Sequence, residues 1–105
     1  MDEQKVDYEG RAALLKALAH PVRLRIVRGL LVCGCRNVGC MEANTGQSQS
    51  CISQHLMRLK AAGVVKCSRS GNEVYYEIAN PEVAEVIAAL FGDREGEYQC
   101  TTSRS

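Results

Sequence analysis

The chain holds six cysteines in 105 residues, and three of them stand close together in Cys33-Gly34-Cys35-Arg36-Asn37-Val38-Gly39-Cys40. Three thiolates in a Cys-x-Cys-x4-Cys pattern suit a trigonal soft centre such as arsenite or antimonite, and thiolates also hold Cd(II), Pb(II) or Zn(II). The same sulfurs can pair as disulfides or carry persulfides under oxidising conditions. Gly34 places Cys33 and Cys35 on a loop that can fold back toward Cys40. Cys100, near the C-terminus, is a further thiol, either a fourth donor or an oxidation partner. Cys51 and Cys67 are read as packing residues, since free cysteine usually behaves as a small buried hydrophobe. A disulfide framework of the secreted kind is not expected. The start of the chain, Met1-Asp2-Glu3-Gln4-Lys5, is acidic and polar and carries no signal-peptide pattern. No apolar run is long enough to span a membrane, so a cytoplasmic protein without membrane contact is expected.

A second chemistry lies in Ser48-Gln49-Ser50-Cys51-Ile52-Ser53-Gln54-His55-Leu56-Met57-Arg58-Leu59-Lys60-Ala61-Ala62-Gly63. At helical period Ile52, Leu56 and Leu59 make one apolar stripe. Ser50, Ser53, Gln54, Met57, Arg58 and Ala61 fall on the other side, which holds no carboxylate. Small hydroxyl and amide side chains allow close approach to a groove, and Gln can pair with base edges. Ser48 reads as an N-cap and Gly63 as the stop. An amphipathic surface helix with a solvated polar face would show the same pattern, so the neighbouring elements decide.

Those elements run in a consistent order. A first helix spans about Tyr8 to Leu18, with Ala12, Leu14, Leu15, Ala17 and Leu18 apolar. Pro21 opens a second helix to about Val32, with Arg23, Arg25 and Arg28 outward. Cys33 to Asn37 is a loop, and a short helix from Val38 to Thr45 leads through Gly46 into the Ser48 helix. This is the helix-turn-helix arrangement, whose second helix enters the major groove. The period then changes: Val64–Arg69 and Val74–Ile78 read as strands joined by the turn Ser70-Gly71-Asn72. Such a hairpin is a wing, and Arg69 and Asn72 near its tip can reach phosphate or the minor groove. A last helix begins at Asn80-Pro81. Its stripe of Val83, Val86, Ile87, Leu90 and Phe91 either packs on the core or, with the first helix, forms a dimer interface. The fold class expected is mainly α with a two-stranded β-wing, a winged helix-turn-helix over residues 8–91. Residues 1–7 and 92–105 are expected to be flexible.

The net charge of +1 says little, but its distribution says more. Between Glu42 and Glu73 there is no acidic residue, while Arg58, Lys60, Lys66 and Arg69 all fall there. A local basic patch is the footprint of phosphate contacts.

The pattern resembles the ArsR/SmtB family of winged-helix transcriptional repressors. The resemblance rests on Ala17-Leu18-Ala19-His20-Pro21-Val22-Arg23-Leu24-Arg25-Ile26, on Gly46 through Leu56, on Leu59 through Val65, and on the wing ending Val74-Tyr75-Tyr76-Glu77-Ile78. It implies a homodimer on an imperfect palindrome of operator DNA, released by an inducer. It also implies that Ser48, Gln49, Ser50, Ser53, Gln54 and His55 contact DNA, beside Arg58, Arg69 and Asn72. No cofactor is then needed for DNA binding. Two inducer sites are common in that family. The one on the last helix needs histidine, and His20 and His55 lie elsewhere. The thiolate one, counted back from Ser48, would fall at Asn37, Gly39 and Glu42. Here the sulfurs sit two to four residues upstream, so a site of Cys33, Cys35 and Cys40 is this chain's own. Two inducer classes follow: arsenite, antimonite or a soft divalent ion on the thiolates, or an oxidant or reactive sulfur species that links them. An interaction domain without DNA binding is the competing class. No nucleophile, base and orienting partner recur together and there is no phosphate-binding glycine loop, so an enzyme is not expected.

Overall fold

The computed structural model describes residues 6–92. Five α-helices and one hairpin follow in the order α1 (Tyr8–Leu18), α2 (Pro21–Arg28), α3 (Val38–Thr45), α4 (Gln49–Ala61), β1 (Val65–Ser70), β2 (Glu73–Ile78) and α5 (Pro81–Phe91). This is the expected mainly α fold with a two-stranded wing. Among the described residues no helix is long and apolar enough to cross a membrane.

Each helix begins on a side chain that accepts from an otherwise unsatisfied first-turn N–H. Asp7 Oδ1 accepts from Gly10 N at 2.9 Å, Asn37 Oδ1 from Cys40 N at 2.8 Å, and Asn80 Oδ1 from Glu82 N at 2.9 Å. Ser48 Oγ accepts from Cys51 N at 3.2 Å. His20 serves α2 in the same way, its Nδ1 accepting from Val22 N at 3.1 Å while Pro21 fills the first position. Asp7 and Gly92, expected in flexible ends, cap α1 and α5; apart from Val6, the remainder of those ends lies outside the described residues.

The second helix does not run as α-helix to Val32. It changes at Gly29 into a π-helical turn, Gly29–Cys33, closed by Gly34 in the left-handed region. The Gly29 carbonyl takes the N–H of Gly34 and, at 3.1 Å, that of Cys35. A π-turn is an uncommon local choice that often marks functional ground; here it delivers the first two cysteines of the cluster.

The core is built from one face of each helix. Ile26 and Val27 of α2, Met41 of α3, Ile52 and Leu59 of α4, and Ile87 of α5 are all buried. The expected α5 stripe splits. Val83 and Ile87 enter the core, whereas Leu90 and Phe91 stay exposed. An exposed Arg11–Glu82 ion pair at 3.3 Å ties α1 to α5, and the Arg28 guanidinium stands 4.7 Å from the Phe91 ring centroid.

The hairpin pairs Val65 with Ile78 and Ser70 with Glu73, leaving Gly71-Asn72 as a two-residue loop. Gly71 has φ 65° and Asn72 has no positive φ, the pattern of a type II′ turn, in which the first central position favours glycine. The hairpin's inner end is anchored by Val64, buried, whose carbonyl accepts from Ala79 N at 2.9 Å. Along β2, Tyr76 N donates to the Arg36 carbonyl at 2.9 Å. The loop between the π-turn and α3 therefore borders the wing.

Candidate nucleic-acid interface

The turn from α3 to α4 is saturated with hydrogen bonds. Gly46, at φ 75°, caps α3 with its N–H on Glu42 O at 2.8 Å. Thr45 Oγ1 donates to Met41 O at 2.8 Å and accepts from Gln47 N at 3.1 Å, and Cys51 Sγ donates to Gln47 Oε1 at 3.2 Å. A turn tied this way fixes the angle at which α4 leaves α3. Cys51 is half-buried here, at the start of α4.

With Ile52, Leu56 and Leu59 in the core, α4 presents Gln49, Ser50, Ser53, Gln54, Met57 and Arg58 to solvent. Ser48 is exposed, but its hydroxyl is engaged as the cap. Arg69 and Asn72 are exposed at the far end of the wing. Arg58 and Lys60 lie in the last turn of α4, where their charge also opposes the negative helix terminus. Lys66 leans toward Glu77 at 3.9 Å. The face is polar and cationic, with hydroxyls and amides on a helix and a basic hairpin beyond it, which suits a duplex groove and its phosphates.

His55 stands apart from the other expected DNA contacts. It sits at the flank of the apolar stripe, half-buried against α2. Its Nδ1 lies 3.3 Å from Arg23 Nη1, and its ring is 4.6 Å from that of His20, tilted by 53°. Arg23 also donates from Nε to the Ala17 carbonyl that ends α1. Arg23 was expected to point outward; instead it bridges α1, α2 and α4. Arginine has only donors, so His55 Nδ1 must accept and the ring is neutral. Burial, then the neighbouring His20, Arg23 and Arg58, lower the His55 pKa from its ordinary value of 6.5. A lowered folded-state value means the unfolded chain binds the proton more tightly. The stability from this junction is therefore whole above about pH 6.5 and falls as pH drops below it. The melting temperature of wild type is expected to decline more steeply on acidification than that of His55→Gln, and parallel curves would refute the assignment.

The cysteines are arranged unevenly. Cys35 and Cys40 are joined as a disulfide with their Cα atoms 5.6 Å apart. Cys35 is buried and Cys40 exposed, at the first turn of α3. Cys33 is exposed, at the end of the π-turn. Among the described residues no three His, Cys, Asp or Glu side chains are grouped so as to hold a metal ion. Cys100 lies outside the described residues. Cys67, expected to be a buried packing residue, is exposed on β1 with Lys60 Nζ 3.4 Å from its sulfur. Only Val65 on that strand is buried, because the hairpin leaves the core after its first residue.

The sequence model of the bacterial regulatory protein arsR family matches residues 20–66, from the His20 cap to β1. The transcriptional repressor PagR of Bacillus anthracis is 40% identical over 91 residues, covering 84% of this chain and 91% of PagR. Its crystal structure superposes with a TM-score of 0.71 at 41% identity, over 78% of this chain and 93% of that one. The chain belongs to the ArsR family. Two further solved structures of similar fold are the transcriptional repressor BigR of Xylella fastidiosa and the homodimeric winged helix-turn-helix DNA-binding domain of Mb0332 from Mycobacterium bovis. BigR gives a TM-score of 0.74 at 30% identity, over 87% of this chain and 92% of BigR. Mb0332 gives 0.68 at 32%, over 78% and 75%. This ArsR-family chain is thus a DNA-binding transcriptional regulator and not an enzyme. In it the junction of His20, Arg23 and His55 is the feature that sequence reasoning missed. One signal was there: His55 lies three residues after Ile52 and four before Leu59, within the buried stripe's own spacing.

Proposed function

We propose that this ArsR-family regulator is a homodimeric repressor whose hold on operator DNA is set by the redox state of Cys35 and Cys40. The dithiol form binds the operator and the disulfide form releases it. The observation that carries this reading is the Cys35–Cys40 pairing, which closes the loop between the π-turn and α3 where that loop borders the wing. The closed loop contains Arg36, whose carbonyl accepts from Tyr76 of the wing, and whose guanidinium lies 3.6 Å from Glu77 Oε1. The other end of the loop is the first turn of α3, which passes through the tied turn at Gly46 into α4. A bond made or broken there bears on the wing and on the recognition helix together. With peroxide as oxidant, the exposed Cys40 sulfur attacks one peroxide oxygen to give a sulfenic acid and water. The Cys35 thiol then attacks that sulfur and expels a second water, so two thiols and one peroxide give one disulfide and two waters.

Dimerisation is supported by the apolar side chains on α1 and α5. Leu15 is 55% and Leu90 61% exposed, with Tyr8 and Phe91 also exposed. A second copy would cover them, and a two-fold pair reads two half-sites where one small domain reads too few base pairs.

A soft ion is the second reading, favoured by the same sulfur pair. Once reduced, Cys35 and Cys40 are a close dithiol, and with Cys33 they would offer arsenite, antimonite or a soft divalent ion three thiolates. Among the described residues the disulfide form presents no such donor set. Anaerobic, fully reduced protein is therefore tested by fluorescence anisotropy on its own upstream promoter DNA, with hydrogen peroxide and arsenite added in separate titrations. Release by peroxide, reversed by dithiothreitol, with no response to arsenite supports the redox switch. Release by stoichiometric arsenite alone assigns the thiols to metalloid sensing. Binding that neither reagent disturbs refutes both.

A further inference from the structure

The solvent side of α4 carries one large apolar side chain. Met57 is 65% exposed, and the other exposed large apolar residues lie on α1, α5 and the segment before α1. At helical period Ser50, Gln54, Met57 and Ala61 form the row opposite Ile52, Leu56 and Leu59. Met57 therefore stands near the middle of the surface turned away from the core, with Gln54 about one turn before it and Arg58 beside it. A face built only to meet phosphates would gain nothing from an apolar side chain there. The floor of the major groove offers one apolar group, the 5-methyl of thymine. Methionine is unbranched, with several rotatable bonds and a polarizable sulfur, so it can reach that methyl from a position late in the helix.

We propose that Met57 is a specificity-determining residue that packs on a thymine 5-methyl group in each operator half-site. The inference rests on the reading that α4 lies in the major groove. It is separate from the cysteine switch and holds for either inducer.

The test pairs a side-chain truncation with removal of the base methyl. Reduced wild-type protein and Met57→Ala each select duplexes from a randomised pool. The best wild-type duplex is then remade with uracil replacing thymine one position at a time. Alanine favours helix at an exposed site, so the variant keeps α4. One thymine per half-site should lose about three- to fivefold in wild-type affinity on replacement by uracil, the order expected for one methyl left in water. Met57→Ala should lose nothing at that position, and its selected sequences should no longer fix a thymine there. Equal uracil losses in both proteins, or identical selected sequences, would overturn the role of Met57. Failure of wild type to enrich any sequence would overturn the groove placement of α4 and the inference with it.

Discussion

Cys40→Ser is expected to leave operator affinity of the reduced protein within about twofold of wild type and to abolish release by peroxide, where wild type loses about tenfold or more. The expected size follows from linkage: a redox switch that moves DNA affinity by that factor has a coupling free energy of about 1.4 kcal/mol or more, within the ordinary range for two coupled sites. Cys40 is the cleaner site for the substitution because its side chain is exposed, so a hydroxyl there keeps its water. Cys35 is 3% exposed. Cys35→Ser is expected to lose the response equally but also to lower stability by about 1–3 kcal/mol, because the buried hydroxyl must find a partner. Cys67→Ser is the control. Its sulfur is exposed beside Lys60 and takes no part in the Cys35–Cys40 pair, so release should be unchanged. Persistence of peroxide release in Cys40→Ser would remove the Cys35–Cys40 pair from the mechanism.

The pairing itself was half legible in the sequence. Three thiols in eight residues announced soft-ion or redox chemistry, and both classes were stated. Spacing alone could not choose a pair, because the choice depends on how the backbone enters and leaves the loop. That path is set by the π-turn at Gly29–Cys33 and by Gly34 in the left-handed region, neither of which has a periodic signature. The helices, by contrast, followed from caps and stripes. Ser48 and Asn80 each start a helix where a short polar side chain precedes an apolar period. Burial was misjudged where an element leaves the core. Cys67 lies two residues beyond Val65 on the same side of a strand, yet the hairpin has by then passed into solvent. Arg23 was misjudged for the opposite reason: a long side chain at the edge of a helix can turn back to an open carbonyl, here that of Ala17, and helical period alone does not register it.

Gln54→Ala and Arg58→Ala are expected to separate sequence reading from phosphate attraction on the same helix. Both side chains are exposed on α4, but they lie on different lines of its surface: Gln54 with Ser50 and Met57 opposite the core, Arg58 to one side in the last turn. A central amide can pair with both the N7 and N6 edges of adenine, and such a contact contributes about 1–3 kcal/mol of discrimination against another base. Gln54→Ala should therefore weaken the selected operator about five- to 150-fold for each half-site, while binding to unrelated DNA barely changes. An arginine at the groove's edge meets phosphate, which every sequence presents. Arg58→Ala should weaken operator and unrelated DNA together, and the slope of log affinity against log salt should become shallower by about one per lost phosphate contact in each protomer. The salt titration decides between the roles, since truncating a neutral amide releases no counterions. If Gln54→Ala flattened the salt slope, or Arg58→Ala changed the selected sequence without changing that slope, the two roles would be exchanged and α4 would enter the groove with a different face.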